Sequence, residues 1–430
     1  MPPTPSGVTA EIAAHAAAIC ARDLPPAVQT KARAAVLDTL ACAAAGKRTD
    51  RFARLSAALK RAGENGACTS ALLLGAAAHV LEYDDAHKRS KTHPGATVVP
   101  AVIAAAELAG TSGAPTLASV VAGYEVMLRV GAALGASAHR RAGWHATGTA
   151  GTVGAAVGAA CALELDADRI AEAIGHAVAQ AAGNWAFIGD GAMAKPLQAG
   201  NAARAGVLAA LAAAEGFRGA AHALEAADGG FYSIFGGDAA AVTRDLAPYL
   251  ILEVATKPYP CCRTVQSAID AVLRLRPARD GRAHVRTFAI CIEQNGFFAE
   301  GDVMRAPFSL PLVIAAALHD GRVDFDTFTP QSLAALRDAE RRITWAIDPE
   351  LDALYPETWA AEVHAGDRQV RVLHALGDPR NPMSIEQMTA KLRICAGSET
   401  ADVQARVERL FGAEKTPAQL QPLGGPPTWR

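Results

Sequence analysis

The segment 82–95 (EYDDAHKRSKTHPG) concentrates side chains that could move a proton or bind an anion. Asp84 and Asp85 can act as a base, orient a histidine or cap a helix. Lys88, Arg89, Lys91 and His93 offer positive charge to an anion. Nearly uncharged stretches flank the segment, so we expect it at the buried ends of helices, where charge must be paired or functional. The structural alternative is a solvated loop ended by Pro94.

His145, in the string GWHATGT, is a candidate base because it precedes an apolar helix. The dipole at a helix N-terminus disfavours the imidazolium and keeps a neutral imidazole available. A hydrogen-bonded core histidine is the alternative. Residues 144–163 lack formally charged side chains and are long enough to span a bilayer, but glycine, alanine and threonine dominate them. That composition indicates a buried helix of a globular protein.

Two lysines are further candidates. Lys195 lies in a glycine- and alanine-rich approach to a helix, where its ammonium can bind a substrate carboxylate or, if desolvated, act as an acid or base. Pairing with Asp190 is its structural alternative. Lys257 begins the string KPYPCCR at the expected change of domain, where clefts commonly form, and Tyr259 and Arg263 lie in the same string. A rigid linker with solvated charges is the alternative there.

Composition limits the class of protein. The chain has 430 residues, 51% of them hydrophobic, which is enough for one large and one smaller domain. Its 41 basic and 43 acidic residues are well mixed, with no basic run, so we expect no nucleic-acid partner. The eight cysteines form no C-x-x-C pair, and the N-terminus lacks the features of a signal peptide. We therefore expect a cytoplasmic protein with reduced thiols and no membrane partner.

Helices must position most of these candidates. Residues 1–250 are rich in alanine and punctuated by turn signals, which predicts a mainly α protein. We predict an all-helical domain over residues 1–265, completed by residues 385–430. A smaller α+β domain is predicted over residues 266–384.

The pattern of the predicted α+β domain defines its elements. Residues 284–293 alternate as one strand, and residues 361–374 resemble a hairpin that turns at Gly366. Residues 310–318 and 330–343 are helix candidates. The spacing from Ser384 to Gln387 predicts a capping box before a final helical region.

Five strings in order resemble the MmgE/PrpD family: YDD with HPG in residues 83–95, GYE at 123–125, HATGT at 145–149, KPLQAGNAA at 195–203 and KPYPCC at 257–262. That family includes 2-methylcitrate dehydratase, cis-aconitate decarboxylase and iminodisuccinate epimerase. The resemblance covers nearly the whole chain. It implies a large helical domain formed by both chain ends, a smaller α+β lid domain and a homodimer. It also implies a cleft between the domains that works without a metal or organic cofactor.

Motif matching places His93, His145, Lys195 and Lys257 at the family's active site, which suits a small di- or tricarboxylate substrate. The candidate catalytic residues are His145, His93, Lys195, Asp84 and Asp85. The candidate substrate-binding residues are Lys257, Arg263, Tyr259, Cys262, Arg89 and Gln266. In the predicted mechanism His145 is the base, His93 and Lys195 bind carboxylates or donate a proton, and Lys257 anchors the distal end with Arg263.

A hydro-lyase of the 2-methylcitrate type is the preferred reaction, because it is the broad chemistry that the resemblance suggests. An epimerase of an iminodisuccinate-like substrate is the first alternative, followed by a cis-aconitate decarboxylase and by a non-catalytic carboxylate-binding relative. Three positions argue against decarboxylation. Cys262 stands where the decarboxylases carry a histidine, Gln266 replaces another common histidine, and Leu312 stands where relatives often have tyrosine.

Overall fold

The computed structural model describes residues 7–276 and 281–411. These residues form nineteen α-helices and one four-stranded sheet. The α-helices are α1 Val8–Cys20, α2 Pro26–Lys47, α3 Asp50–Arg61, α4 Gly66–His79, α5 Gly95–Ala109, α6 Ala114–Ala133, α7 Ala136–Arg141, α8 Ala146–Ala162, α9 Ala167–Val178, α10 Ala186–Asp190, α11 Ala194–Ala214, α12 Phe231–Phe235, α13 Gln266–Leu275, α14 Ala289–Asn295, α15 Leu310–Asp320, α16 Pro330–Glu340, α17 Pro349–Asp352, α18 Ile385–Ala396 and α19 Thr400–Leu410. The strands are β1 Ala283–Thr287, β2 Ile343–Ile347, β3 Ala361–Ala365 and β4 Arg368–Val372. Short 3-10 helices span Ala239–Val242, Leu250–Glu253, Arg263–Val265, Ala306–Phe308, Phe325–Phe328 and Gly397–Glu399.

The centre of the helical part is α8, which is buried along its whole length and packs against α5, α6 and α11. Small residues permit this close packing: a Cβ added at Gly154 would lie 2.4 Å from the Cβ of Met127. The expectation of a buried helix within residues 144–163 is therefore confirmed. Among the described helices α6 is long and apolar enough to cross a membrane, but 94% of that apolar window is buried inside the protein, as in a core helix.

A smaller α+β part follows. Its sheet has the strand order β2-β1-β3-β4, with β1 and β2 parallel and the other neighbours antiparallel. Helices α13 and α15 pack in the same apolar core as these strands. The helical part has its own core, to which α18 and α19 contribute. A buried ion pair of 2.6 Å between Lys391 and Asp38 joins α18 to α2. The chain is thus mainly α with a smaller α+β portion.

The predicted hairpin is confirmed by β3 and β4, which turn at Gly366 with a left-handed φ of 63°. The helix candidates at 310–318 and 330–343 correspond to α15 and α16, although α16 ends at Glu340 and Ile343 already begins β2. The capping box at Ser384 is present.

The prediction of one strand over residues 284–293 was wrong. Strand β1 ends at Thr287, and α14 begins two residues later. Asp352 Oδ1 accepts a hydrogen bond from the backbone N–H of Ala289 at 2.8 Å, which satisfies an unpaired donor at the start of the helix. A short apolar run cannot be assigned to helix or strand by period alone, and here tertiary contacts decide.

Candidate active site

The charged segment connects α4 to α5 and is largely buried, so the alternative of a solvated loop was wrong. Its two aspartates face different partners. Asp85 Oδ1 accepts from the backbone N–H of Gly95 at 2.9 Å, and Oδ2 accepts from the Tyr124 hydroxyl at 2.8 Å. Burial, assisted by the charge of Asp84, raises the pKa of Asp85 to about 7. These contacts give Asp85 the role of holding the start of α5.

Asp84 lies instead among positive and protonatable groups. Its Oδ2 is 2.7 Å from His79 Nδ1 and 3.5 Å from His93 Nδ1, and its Oδ1 is 3.8 Å from Lys257 Nζ. Burial opposes ionisation of Asp84, but His79, His93 and Lys257 outweigh that cost and lower its pKa. Asp84 is therefore a buried anion that orients the neighbouring histidine of α4.

His79 was not among the site residues predicted from the sequence. It is the last residue of an apolar helix, is fully buried, and lies with its ring centroid 4.8 Å from that of His93 and 6.0 Å from that of His145. A lone histidine at the end of an apolar helix is usually structural, so only its distance of five residues from Asp84 could have indicated a role.

His93 is held in one tautomer. Its Nδ1 lies 2.7 Å from the backbone oxygen of Asp85, which can only accept, so Nδ1 carries the proton and Nε2 keeps a lone pair. Burial lowers the pKa of His93 well below its usual value, although Asp84 acts in the opposite direction. His93 is therefore neutral near pH 7.

Lys195 is the second residue of α11 and forms a buried ion pair with Glu82, not with Asp190. Lys257 Nζ donates to the backbone oxygen of Glu82 at 2.7 Å and lies 3.9 Å from its carboxylate. Burial opposes the charge of Glu82, but Lys195 and Lys257 outweigh it and lower the pKa of this carboxyl. Glu82 has a left-handed φ of 56°, so the backbone is held in an uncommon conformation beside both lysines.

His145 is the N-cap residue of α8, as the sequence predicts. Its Nδ1 lies 2.8 Å from Gln198 Oε1. The amide of Gln198 is fixed by Asn184, whose backbone N–H donates to Oε1 at 3.1 Å and whose backbone oxygen accepts from Nε2 at 3.0 Å. His145 Nδ1 must therefore be the donor.

The other ring nitrogen of His145, Nε2, thus carries a lone pair. It is buried and has no hydrogen-bond partner among residues 7–276 and 281–411. Burial is the main cause that lowers the pKa of His145 well below its usual value, and the charge of Lys195 adds to it. This side chain has the protonation state of a general base near neutral pH.

The ligand atoms of His79, Asp84 and His93 lie within 4.8 Å of one another, as in a metal site. The donor set fits a metal poorly, because Lys257 Nζ already places an ammonium 3.8 Å from Asp84 Oδ1. The arrangement suits proton transfer and carboxylate binding.

The other candidate residues lie outside the group of histidines, lysines and carboxylates described above and bind to other residues of the chain. Arg89 makes a half-exposed bidentate pair with Glu253. The hydroxyl of Tyr259 donates to Asp270 at 2.6 Å. The substrate-binding roles assigned to these two residues stay predictions.

Three further candidates follow Lys257 along the chain. Arg263 donates to Gln266 Oε1 at 2.8 Å, and Gln266 Nε2 donates to the backbone oxygen of Tyr259 at 3.0 Å. These bonds brace the junction between the helical and α+β parts. Cys262 is half-buried, with its Sγ 3.1 Å from Thr264 Oγ1.

Two known family domains match this chain one after the other. The MmgE/PrpD N-terminal domain matches residues 10–243, and the MmgE/PrpD C-terminal domain matches residues 259–414. A cis-aconitate decarboxylase from Aspergillus terreus is 29% identical over 297 residues, which cover 63% of this chain and 60% of that protein. A cis-aconitate decarboxylase-like protein from Aspergillus oryzae is 28% identical over 376 residues, 77% of each chain. The human cis-aconitate decarboxylase is 29% identical over 215 residues, 48% of this chain and 44% of that protein. This chain belongs to the MmgE/PrpD family.

Proposed function

We propose that this chain is a cofactor-independent lyase that transfers a proton at a carbon next to a carboxylate of a small di- or tricarboxylate. The observation that carries this proposal is the neutral ring of His145, whose Nε2 lone pair is buried and has no partner among the described residues. Removal of a proton beside a carboxylate builds negative charge on the substrate. Lysine ammonium groups in a site closed from water stabilise that charge.

The remaining roles follow from the contacts. His145 takes or returns the proton at carbon. Lys195 exchanges its bond to Glu82 for one to a substrate carboxylate, and Lys257 keeps Glu82 and Asp84 in place. The ammonium of Lys195 or Lys257 also supplies the proton that a leaving hydroxyl or a carbanion requires.

Decarboxylation of a cis-aconitate-like substrate is the first candidate reaction. It is supported by the names of the three relatives described above. In this reaction the bond between the carbon skeleton and one carboxylate breaks, and carbon dioxide leaves. The electron pair of the broken bond stays on the carbon skeleton until a proton is added. The aligned region covers only 60% of the Aspergillus terreus enzyme, so its substrate is extended to this chain as a proposal.

Dehydration of a 2-methylcitrate-type hydroxy acid is the second candidate. It begins with removal of a proton from carbon, which the neutral state of His145 favours. Gln266 is bound to backbone carbonyls and Leu312 is buried in an apolar core, so neither position supplies an acid. The lid role of the α+β domain and the homodimer, which the family resemblance implies, stay predictions, as does the cytoplasmic location expected from the cysteines and the N-terminus.

The test is incubation of the purified protein with cis-aconitate, 2-methylcitrate, citrate and iminodisuccinate in deuterated buffer, followed by proton NMR. We expect loss of carbon dioxide from cis-aconitate, with deuterium placed on the product. An alkene from a hydroxy acid would identify the dehydratase instead, and deuterium exchange without elimination would identify an epimerase. Binding without turnover or exchange across the whole panel would contradict the proposed lyase.

A further inference from the structure

Lys91 is a half-buried lysine, with a buried Nζ, outside the group of histidines and lysines described above. It has a left-handed φ of 53°, which lysine rarely adopts. The surrounding loop is fixed by a backbone hydrogen bond of 2.9 Å from His87 to Thr92 and by a 2.6 Å contact between the hydroxyls of Ser90 and Thr92. Lys91 Nζ is buried and makes no hydrogen bond within the described part of the chain. The loop therefore holds a buried amino group without a hydrogen-bond partner in a set direction.

The α+β part of the chain supplies the surroundings of Lys91. Its Nζ lies 5.4 Å from the ring centre of Tyr355 and 6.0 Å from that of Trp359, within the range of cation–π contacts. Burial lowers the pKa of Lys91 to about 7, with smaller electrostatic effects from Cys262 and Arg140. Lys91 thus extends from the helical part into the interface with the α+β part.

Arg140, next to the last residue of α7, is a second cation at this interface and is half-buried. Its guanidinium lies 4.4 Å from the ring centre of Trp185, and that ring is 5.2 Å from the ring of His145. Arg140 Nε is buried without a hydrogen-bond partner among the residues that the structure describes. Arg140 interacts electrostatically with Cys262 and with Lys91, so both cations border the same region.

Charge balance gives these cations a role. Glu82 and Asp84 already offset Lys195 and Lys257, so the group around His145 cannot neutralise two or three substrate carboxylates. Glu293, the carboxylate that interacts with both Lys91 and Arg140, is paired with Arg141 at 2.9 Å. Buried cations without a full counter-charge are costly unless a ligand supplies one.

We propose that Lys91 and Arg140 form a second carboxylate subsite, which binds the substrate carboxylate remote from the reacting carbon. The subsite rests on the proposed function for its ligand class. It makes Lys91 and Arg140 specificity-determining residues, because a substrate with one carboxylate leaves their ammonium and guanidinium unsatisfied. Trp185 contacts both Arg140 and the ring of His145, so the remote carboxylate would lie about one indole ring away from the base.

The test measures binding of propane-1,2,3-tricarboxylate and of acetate by calorimetry, without turnover. We expect Lys91→Met and Arg140→Gln each to weaken binding of the tricarboxylate about 10- to 100-fold, as for loss of one charge-assisted hydrogen bond. Acetate should bind these variants as it binds the parent protein. Lys91→Arg should keep tricarboxylate binding within a few-fold, because it keeps the cation. The matched control is Lys60→Met, since Lys60 is exposed at the end of α3, and it should have no effect.

The outcomes separate the subsite from the reaction. Unchanged tricarboxylate binding by Lys91→Met, or no binding by the parent protein, would overturn the subsite. A Lys91→Arg variant that binds normally but loses turnover as fully as Lys91→Met would also overturn it, since Lys91 would then be a proton donor. If the expected binding losses occur while no tested substrate is converted, the subsite stands and the proposed reaction fails. Circular dichroism of each variant excludes unfolding as the cause.

Discussion

Gln198 Oε1 lies 2.8 Å from Nδ1 of His145 and thereby sets which nitrogen of that ring can accept a proton. Gln198 has this effect because Asn184 fixes the orientation of its amide through two backbone hydrogen bonds. The base is thus specified by a helix N-cap, a glutamine on α11 and a loop backbone acting together.

Gln198→Leu should lower kcat on the order of 10²-fold, less than the ~10⁴-fold loss when the aspartate that orients a base histidine is replaced, because Gln198 is an uncharged partner. KM should change much less, because Gln198 contacts the ring and not the substrate in this account. The measurement is steady-state kinetics on whichever panel substrate is converted. Gln331→Leu is the matched control, since Gln331 is exposed on α16 and should leave kcat unchanged. A Gln198→Leu enzyme with the parent kcat would refute the role of this hydrogen bond.

His145→Gln should reduce kcat by ~10²- to 10⁴-fold, the contribution of a general base. His222→Gln is the control, because His222 is exposed and pairs only with Glu225 among the described residues. Equal rates for His145→Gln and the parent protein would exclude His145 as the base.

The pH profile of the parent protein gives a second test of His145. Its pKa lies well below 6.5 through burial, so the base stays neutral as the pH falls through the usual titration range of histidine. We expect kcat to stay level from pH 8 to below pH 6.5 and to fall only in more acidic buffer. A loss of kcat centred on pH 6.5 would show that His145 titrates normally, if the residual activity of His145→Gln does not show the same loss.

The pair of Glu82 and Lys195 makes a prediction on stability. Glu82→Gln removes one partner of a buried ion pair and should reduce the free energy of unfolding by ~3–5 kcal/mol, because Lys195 keeps an uncompensated charge. The double variant with Lys195→Met should recover much of that loss. Urea denaturation measures both. Asp50→Asn, which breaks an exposed pair with Arg54, should have a small effect in comparison. Similar losses for the buried and exposed pairs would contradict this reading.

Asp85 makes a prediction on the pH dependence of stability. Its folded pKa of about 7 lies above the unfolded value, so the folded protein holds a proton that the unfolded chain has lost. Its contribution to stability is therefore full below about pH 4 and is lost as the pH rises through 7. Asp85→Asn removes this titration. The difference in urea midpoint between Asp85→Asn and the parent should grow in favour of the variant from pH 5 to pH 8. A constant difference would show that Asp85 is already ionised at pH 5.

Short sequence patterns predicted the structural features that depend only on residues close together in the chain. The hairpin at Gly366, the capping box at Ser384 and the N-cap position of His145 all follow from short-range rules. Strand β2 was not anticipated, because its parallel pairing with β1 joins segments separated by three helices. Parallel pairing of this kind leaves little trace in a single short segment.

In the candidate site, too, short-range patterns identified residues but not their distant partners. The sequence identified residues 82–95 as a candidate but left the roles of Asp84 and Asp85 open, since successive side chains face different surroundings. The partner of Lys195 lies 113 residues away in sequence, so no local rule could select Glu82 over Asp190. The subsite of Lys91 and Arg140 likewise depends on how α7 meets the loop before α5.

The most direct test of the central claim is the ¹⁵N spectrum of the His145 ring at pH 7, in protein labelled at histidine and assigned with the His145→Gln variant. The account predicts a protonated Nδ1 and an unprotonated Nε2, together with loss of that tautomer preference in Gln198→Leu. A doubly protonated ring at pH 7, or a proton on Nε2, would contradict the assignment of His145 as the base.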